Sequence, residues 1–222
     1  MQVQSSAITT GGVLRSAGIE YSADDRLQPA AFSLANSRIL IKLDHLRDID
    51  LIINPGNTQL KVKSTERIPG NLALAAGILL FPKDSILQNG LVIDAKTPIT
   101  AGSGITLQIR KAFPITINEQ GISTTFYSSA PTLIEALLEQ GYTLTKADQP
   151  SLPWVTPITG SLTVDLLRAR DIVISTSDQQ IKISAAGPTI GEALAQAGYP
   201  LQNLDYCIPG ENELLPADGN IR

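Results

Sequence analysis

The sequence predicts an α+β fold built from tandem β-grasp modules. Four segments each run an apolar helix into a glycine, and an aspartate follows seven residues later in every copy. The glycines are Gly18, Gly77, Gly141 and Gly198, and the aspartates are Asp25, Asp84, Asp148 and Asp205. Their spacing of about 60 residues exceeds the roughly 20 to 50 residues of solenoid repeats. Each copy is therefore interpreted as a small domain rather than one layer of a stack.

A β-hairpin is predicted before three of the helices. In FPITINEQGISTTFYSSAP, apolar and polar residues alternate on both sides of Gln120 and Gly121, which supply the turn. DIDLIINPGNTQLKVKST has its turn at Pro55, Gly56 and Asn57, and DIVISTSDQQIKISAAG has the same pattern. The first copy begins at about Val3, inside its expected second strand, so its opening strand lies upstream or is absent.

The helix starts carry recognisable signals. Thr132 with Glu135, and Thr189 with Glu192, have the spacing of capping boxes, in which the Thr hydroxyl accepts from the N–H three residues on. The second copy lacks this pair, and Pro69 is expected at the first helical position instead. An apolar stripe is predicted on each helix, formed by Leu133, Leu137 and Leu138 in the third copy and by Ile190, Leu194 and Ala197 in the fourth.

The helix ends are predicted at the repeated glycines. Gly141 and Gly198 occupy the position where a left-handed residue ends a helix, and Tyr142 and Tyr199 follow as its apolar contact. The recurrent aspartates are interpreted as structural residues of a turn or short cap after the helix, because a residue present in every copy more often serves the fold than chemistry.

A loop and a closing strand complete each copy. Gly102 and Gly160 precede the alternating segments GITLQI and SLTVDL, and the order of elements becomes strand, strand, helix, loop, strand. A hairpin and a returning strand can then cover one face of a single helix, which is a β-grasp. The predicted domains are residues 1–48 without a first strand, 49–112, 113–170, and 171–222 without a last strand. We refer to them as the first to fourth repeats.

These residues resemble the DUF348 repeats found beside G5 modules in resuscitation-promoting factors and YabE-like cell-wall proteins. The resemblance rests on T-x-x-E-A-L-x-x-x-G at Thr132 to Gly141, the matching segment of the fourth repeat, the aspartate seven residues later, and a closing strand before a basic residue such as Arg110 or Arg168. It implies a ubiquitin-like β-grasp fold, an extracellular or cell-surface location in bacteria, and a spacer or binding role beside a peptidoglycan-active or surface domain.

Composition excludes several classes of protein. A formal charge of −4, with 17 basic and 21 acidic side chains and no basic cluster, argues against nucleic acid as a partner. The absence of an 18-residue apolar stretch leaves a membrane reachable only through flanking segments outside this sequence. No signal peptide is visible at the N-terminus. The single Cys207 cannot close an intrachain disulfide and is interpreted as a small core residue.

The sequence offers little for catalysis, so a non-enzyme is predicted, with no cofactor and no metal. His45 is the only histidine and is interpreted as a solvated linker residue. Cys207 and His45 fit no nucleophile signature. The carboxylate pairs Asp24 with Asp25 and Glu211 with Glu213 are interpreted as solvated surface, since glycosidases need carboxylates that face each other across a cleft.

Trp154 is the one residue singled out for ligand contact. It stands in the proline-flanked loop LPWVTP, where an exposed indole could stack on a sugar ring. Peptidoglycan, or another wall glycan, is the partner that this residue and the family resemblance suggest. Tyr142 and Tyr199 are assigned to helix-end packing instead.

Three functions stay open at this stage. The first is a cell-surface spacer and adhesion array, with short rigid linkers at residues 110–113 and 167–171 and an elongated particle. The second is a soluble β-grasp array that binds polysaccharide in a groove beside the helix. The third is the non-catalytic part of a cell-wall hydrolase whose catalytic domain lies outside this chain. Because the terminal repeats each lack a strand, the open sheet edges at the two ends are also expected to pair between molecules.

Overall fold

The computed structural model describes residues 2–35, 38–100 and 104–222. The chain divides into two compact units, residues 1–111 and 112–222. Within the described residues, each unit has two short helices and two small sheets, so the predicted α+β class is confirmed. Gly102, expected before the closing strand of the second repeat, lies outside the described residues.

The first unit contains the first two repeats. Its elements are α1 (Thr10–Ser16), β1 (Arg26–Gln28), β2 (Lys42–Asp44), β3 (Arg47–Asn54), β4 (Thr58–Ser64), α2 (Pro69–Ala75), β5 (Ser85–Gln88), β6 (Leu91–Ile93) and β7 (Ile105–Arg110). Strands β1 and β2 form an antiparallel pair. The other five strands form one sheet in the order β4, β3, β7, β5, β6. The closing strand β7 runs parallel to β3, with Leu51 opposite Leu107.

The core of this unit lies between the five-stranded sheet and α2. Alternate residues of β3 and β7 point to one face of the sheet, as the period of two requires. The buried members are Ile49, Leu51, Ile105, Leu107 and Ile109 of the sheet and Leu72 and Ala73 of α2. Each large aliphatic side chain buried here contributes about 1.5–3 kcal/mol before its entropy cost.

The second unit contains the third and fourth repeats. Its elements are β8 (Phe113–Glu119), β9 (Ile122–Ser128), α3 (Leu133–Glu139), β10 (Gln149–Pro150), β11 (Leu162–Leu167), β12 (Arg170–Ser175), β13 (Gln180–Ala185), α4 (Ile190–Gln196) and β14 (Asn220–Ile221). One sheet has the order β10, β11, β8, β9, and the other has the order β13, β12, β14. In both sheets the closing strand lies parallel to the first strand of the hairpin.

Each sheet of the second unit has its own core. In the third repeat, Ile115, Ile117 and Val164 pack with Leu133 and Leu137 of α3. In the fourth repeat, Ile172 and Ile221 pack with Ile190 and Leu194 of α4. Cys207 is buried in this second cluster, which confirms its interpretation as a core residue, and burial raises the pKa of its thiol.

All four helices of the described chain end at the predicted glycines with one hydrogen-bond pattern. In α3, the Gly141 N–H donates to the Leu138 carbonyl and the Tyr142 N–H donates to the Leu137 carbonyl, both at 3.0 Å. This pair of bonds is a Schellman motif. It needs a residue in the left-handed region, and the four glycines have φ between 69° and 90°. The predicted helix ends are therefore confirmed.

The helix starts agree with the sequence only in part. The Thr189 hydroxyl accepts from the Glu192 N–H at 3.3 Å, and Pro69 opens α2 as expected. Thr132 precedes α3, but within the described residues its hydroxyl caps no N–H, so the capping box predicted there is wrong. Downstream loop carbonyls accept from the first two N–H groups of α3 and hold the helix start in place.

Three further expectations are corrected. No strand covers Val3 among the described residues 2–9, so the second strand expected there is wrong. The fourth repeat was expected to lack its last strand. A short closing strand is present at Asn220–Ile221, where it pairs with Val173 and Ile174. Leu138 is 55% exposed, because the stripe that meets the sheet consists of Leu133, Ala136 and Leu137.

Candidate functional site

Trp154 lies in the loop between β10 and β11. Its backbone carbonyl accepts from the Ile134 N–H of α3 at 2.9 Å. It is half-buried and packs against the core of the third repeat, as Tyr142 and Leu144 also do. The residue thus has a structural contact, and part of its surface remains accessible to solvent.

The position of Trp154 recurs in every repeat. The second N–H of each helix donates to a loop carbonyl further along the chain, at 2.8 to 2.9 Å. The four pairs are Gly11 with Ala31, Gly70 with Ala95, Ile134 with Trp154, and Gly191 with Glu211. A large aromatic side chain at this position is therefore particular to the third repeat, where the helix has Ile134 instead of glycine.

Close approach explains the glycines at this helix position. A Cβ on Gly70 would lie 2.9 Å from the Ala95 carbonyl oxygen, and one on Gly191 would lie 3.3 Å from the Glu211 carbonyl oxygen. The loop therefore lies directly against the start of the helix in these repeats.

Open grooves lie beside the helices of the first unit. The groove beside α2 has a volume of about 460 Å³ and is lined by apolar residues that include Leu74, Ile78 and Ala95, with Lys96 at its side. Leu74 and Leu79 in its wall are 60% and 64% exposed. A larger groove of about 970 Å³ lies after α1, where Tyr21 and Phe32 contribute aromatic surface. Apolar concave surfaces with a few polar groups are where small ligands usually bind.

The repeated aspartates form a second arrangement that recurs in all four repeats. Each carboxylate accepts from the backbone N–H three residues before it, at 2.7 to 3.0 Å. The four donors are Ser22, Phe81, Thr145 and Gln202. The interpretation of these aspartates as turn residues is confirmed, because every one closes the turn that follows its helix.

The same carboxylates also reach the end of the closing strand. Asp25 accepts from the Leu46 N–H at 2.7 Å, and Asp148 accepts from the Ala169 N–H at 2.8 Å. A basic side chain lies beside each: His45 Nδ1 is 3.0 Å from Asp25, Arg168 Nη1 is 3.2 Å from Asp148, and Lys111 pairs with Asp84. We call this arrangement the aspartate tie, formed by Asp25, Asp84 and Asp148 with these partners.

Hydrogen bonding lowers the pKa of two carboxylates of the aspartate tie, Asp25 and Asp148. Burial alone raises the pKa of Asp25, but the N–H groups of Ser22 and Leu46 and the ring of His45 outweigh it and lower that pKa to about 2. For Asp148, burial is likewise outweighed by the N–H groups of Thr145 and Ala169 and by the Arg168 charge, so its pKa is also lowered. Both carboxylates are therefore ionised at neutral pH.

A network of charged side chains joins the first repeat to the second inside the first unit. Arg26 lies 3.2 Å from the buried Asp44 and 3.3 Å from Glu66. Arg67 lies 3.8 Å from the other oxygen of Asp44. The Arg67 N–H lowers the pKa of Glu66 and burial opposes it, while the Ile68 N–H and Arg26 add to the lowering. This network was not predicted, because its four members come from three separate segments.

Sequence reasoning also missed the partners of the aspartate tie. A signal was present, since a basic residue follows the closing strand in three repeats, at His45, Lys111 and Arg168. In the second repeat the family motif pointed to Arg110 as the basic residue of the closing strand, and the next residue, Lys111, pairs with Asp84. His45 is 61% exposed as expected of a linker residue, and its ring nevertheless has a defined partner.

The other catalytic candidates have structural contacts. Asp25 is part of the aspartate tie, the Glu211 and Glu213 carbonyls accept from the start of α4, and the Glu213 carboxylate accepts from the Gly210 N–H at 3.0 Å. Among residues 2–35, 38–100 and 104–222, no group of three or more His, Cys, Asp or Glu side chains is placed to hold a metal ion. A search of the same ranges found no helix of the length and apolarity that crossing a bilayer requires.

Comparison with known protein families finds a match to one family in three segments of the chain. The model of the DUF348 family, described as a G5-linked ubiquitin-like domain, matches residues 1–31, 115–152 and 172–210. The predicted resemblance to DUF348 repeats is therefore confirmed for parts of the first, third and fourth repeats. The second repeat, which has Ile68 in place of the capping threonine, lies outside the matched segments. No curated protein matches the chain.

Proposed function

We propose, from the three matches to the G5-linked ubiquitin-like family, that this chain is a non-catalytic array of β-grasp modules from a bacterial surface protein. In this proposal the array holds neighbouring parts of its parent protein at a distance and adheres to the peptidoglycan of the wall. Any catalytic or membrane-anchoring part belongs to segments outside this sequence.

The sheet topology supports the β-grasp assignment. In the second, third and fourth repeats a hairpin leads into one helix, and the closing strand then lies parallel to the first strand of the hairpin. The helix packs on the face formed by these central strands. This repeated order of hairpin, helix and closing strand supports the proposed tandem modules, and an array of like modules suits a spacer.

The aspartate tie is the observation that carries the spacer role. Only two residues separate β2 from β3, and only two separate β11 from β12. In both places the aspartate accepts from the N–H of the second connecting residue, while the first connecting residue supplies the basic partner. A connection this short, with its backbone hydrogen-bonded to the preceding module, limits bending at the point where one repeat leads into the next.

Trp154 supports the adhesion role. Its position in the repeat is filled by small or acidic residues in the other copies, so packing alone does not require an indole there. Aromatic rings with one exposed face stack on the apolar faces of sugars. Glycan strands of peptidoglycan present such faces, and the acidic chain does not favour anionic polymers.

Co-sedimentation with purified peptidoglycan sacculi tests the adhesion role. The wild-type chain is expected to pellet with sacculi and to stay in solution with insoluble cellulose, and Trp154→Ala is expected to lose most of the binding. Trp154→Phe is the matched control, because it keeps an aromatic ring on the core and should retain part of the binding. Equal pelleting by wild type and Trp154→Ala, with both folded by circular dichroism, would remove Trp154 from the contact. If the wild type does not pellet with sacculi, the adhesion role is wrong and only the spacer role stands.

The groove beside α2 supports a second candidate function, the binding of a soluble polysaccharide. Its apolar wall, with Leu74 and Leu79 exposed, and the nearby Lys96 offer both stacking surface and a polar contact. Titration with soluble oligosaccharides, followed by amide NMR shifts, would place changes at residues 68–80 if this groove binds. Leu74→Asp should then abolish the shifts, and Leu138→Asp, at the equivalent exposed helix position of the third repeat, should not.

A further inference from the structure

Three equivalent strands form the outer edge of their sheets. Strands β4, β9 and β13 are the second strands of their hairpins, and each stands at one end of the strand order. In the described part of the chain, β9 pairs with β8 alone. An edge strand leaves a row of backbone N–H and C=O groups without a strand partner, which invites pairing with another chain.

Two of these edges carry lysine at their centre and the third does not. Lys61 of β4 stands opposite Asp50, and Lys182 of β13 stands opposite Val173. The same place in β9 is Thr125, opposite Thr116. No residue of Ile122–Ser128 is charged. Lysine on an edge strand is a common protection against edge-to-edge pairing, so β9 is the unprotected edge.

The turn before β9 shows which backbone groups face outward. Gln120 and Gly121 have φ of 50° and 78°, as in the two-residue type I′ hairpin. In such a hairpin the flanking pair, Glu119 with Ile122, exchanges backbone hydrogen bonds, and bonded pairs then alternate along the strands. The backbone groups of Ser123, Thr125 and Tyr127 therefore point away from β8. Pro114, which has no N–H, lies opposite Tyr127, as this pattern requires.

We propose that two copies of this chain pair through β9, with the strands antiparallel and Thr125 opposite Thr125 on the two-fold axis. Ser123 then stands opposite Tyr127 of the other copy, and each outward-facing residue exchanges both backbone hydrogen bonds with its counterpart. The pairing extends one four-stranded sheet into the other and places no like charges together. The same arrangement at β4 or β13 would set Lys61 against Lys61 or Lys182 against Lys182.

The exposed side chains of β9 favour this partner further. Ile122 is 67% exposed and Tyr127 is 57% exposed, so apolar surface accompanies the free backbone edge. A second copy supplies the same uncharged strand, whereas a charged peptide would find no opposite charge here. The site differs from the chain-end edges expected from the sequence, and it does not depend on the proposed binding to peptidoglycan. A single strand edge is small, so a weak, concentration-dependent dimer is expected.

Sedimentation equilibrium of the full chain tests the dimer. Between about 1 μM and about 1 mM, which spans dissociation constants of weak complexes, the mass should rise from one chain to two. Thr125→Lys copies the lysine of β4 and β13 and should keep the protein monomeric over this range. Thr163→Lys is the matched control, because it adds the same charge at an exposed position of β11, two strands from the edge, and should still dimerise. A wild-type monomer at every concentration, or equal dimerisation of Thr125→Lys and wild type, would overturn the proposal.

Cysteine cross-linking tests the register independently. Thr125→Cys places a thiol on the two-fold axis and should yield a disulfide-linked dimer under mild oxidation. Ser123→Cys lies on the same face but opposite Tyr127 of the other copy, so it should cross-link much less. Equal yields from both variants would contradict pairing centred on Thr125. The native Cys207 is buried, so the wild-type chain, which has no other cysteine, gives the background level of cross-linking.

Discussion

Asp148 shows how one side chain can hold two parts of a repeat together. Its oxygens accept from the Thr145 N–H in the turn after α3 and from the Ala169 N–H after β11, and Arg168 lies beside them. The side chain is 1% exposed, so water cannot replace these donors. Ionised acceptors form the stronger class of hydrogen bond.

Asp148→Asn is therefore expected to destabilise the second unit. The substitution removes the negative charge and turns one acceptor oxygen into a donor that faces an N–H group. A hydrogen bond to a charged group contributes about 1.5–3 kcal/mol, so the free energy of unfolding in urea should fall by about 2 kcal/mol. Asp178→Asn, on the exposed β12–β13 turn, is the matched control and should change it by less than about 0.5 kcal/mol. Equal stability of the two variants would show that the aspartate tie contributes little.

At the scale of elements, the sequence located most strands and every helix end. The hairpins β8–β9 and β12–β13 follow from alternation and turn residues, and the helix ends follow from glycine, because both signals are local. The start of α3 could not be predicted in the same way. Its N–H groups are satisfied by the carbonyls of Trp154 and Thr156, which are distant in sequence. The short strands β5, β6 and β10 were missed for a related reason, since a strand of two to four residues shows almost no periodicity.

Gly141→Ala tests the helix end of the third repeat. Gly141 has φ of +90°, and a Cβ there meets no atom within 4 Å, so any cost comes from the backbone rather than from a clash. A non-glycine residue in the left-handed region costs roughly 1–2 kcal/mol, and the unfolding free energy should fall by about that amount. Gly160→Ala is the matched control, because it also has open space but no positive φ. It should be neutral or slightly stabilising, since alanine restricts the unfolded chain. An equal loss of unfolding free energy in both variants would indicate that packing, and not the left-handed backbone at Gly141, causes the destabilisation.

At the scale of the whole chain, the sequence predicted a repeated module but not what ties its copies together. The repeat appears in the sequence as glycines and aspartates at a regular spacing, and each of them can be recognised without knowing its contacts. The aspartate tie and the network around Asp44 are pairings between separate segments, and no local pattern encodes them. Trp154 could be singled out from its loop, yet its contact with α3 could not, because that contact depends on how the loop returns to the helix start.

Two carboxylates of the aspartate tie, together with Glu66, also set the response of the whole chain to acid. Asp25, Glu66 and Asp148 have pKa values lowered by folding. The folded state therefore binds fewer protons than the unfolded state just below their ordinary range, and stability decreases as pH falls. The contribution of Asp25 is fully present above its unfolded value of 3.8 and is lost as pH falls toward about 2. At the alkaline end, the raised pKa values of Cys207 and Tyr142 act in the opposite sense, so stability should decline above about pH 9.

Urea unfolding at a series of pH values checks this profile. We expect a plateau between about pH 5 and pH 8 and a steep loss between pH 4 and pH 2. Asp25→Asn should lower the plateau and flatten the acid limb, because the group that gains protons on unfolding is gone. Asp24→Asn removes a neighbouring exposed carboxylate and should leave the shape of the curve unchanged. An acid limb equally steep in Asp25→Asn and wild type would show that other carboxylates, and not the aspartate tie, govern acid unfolding.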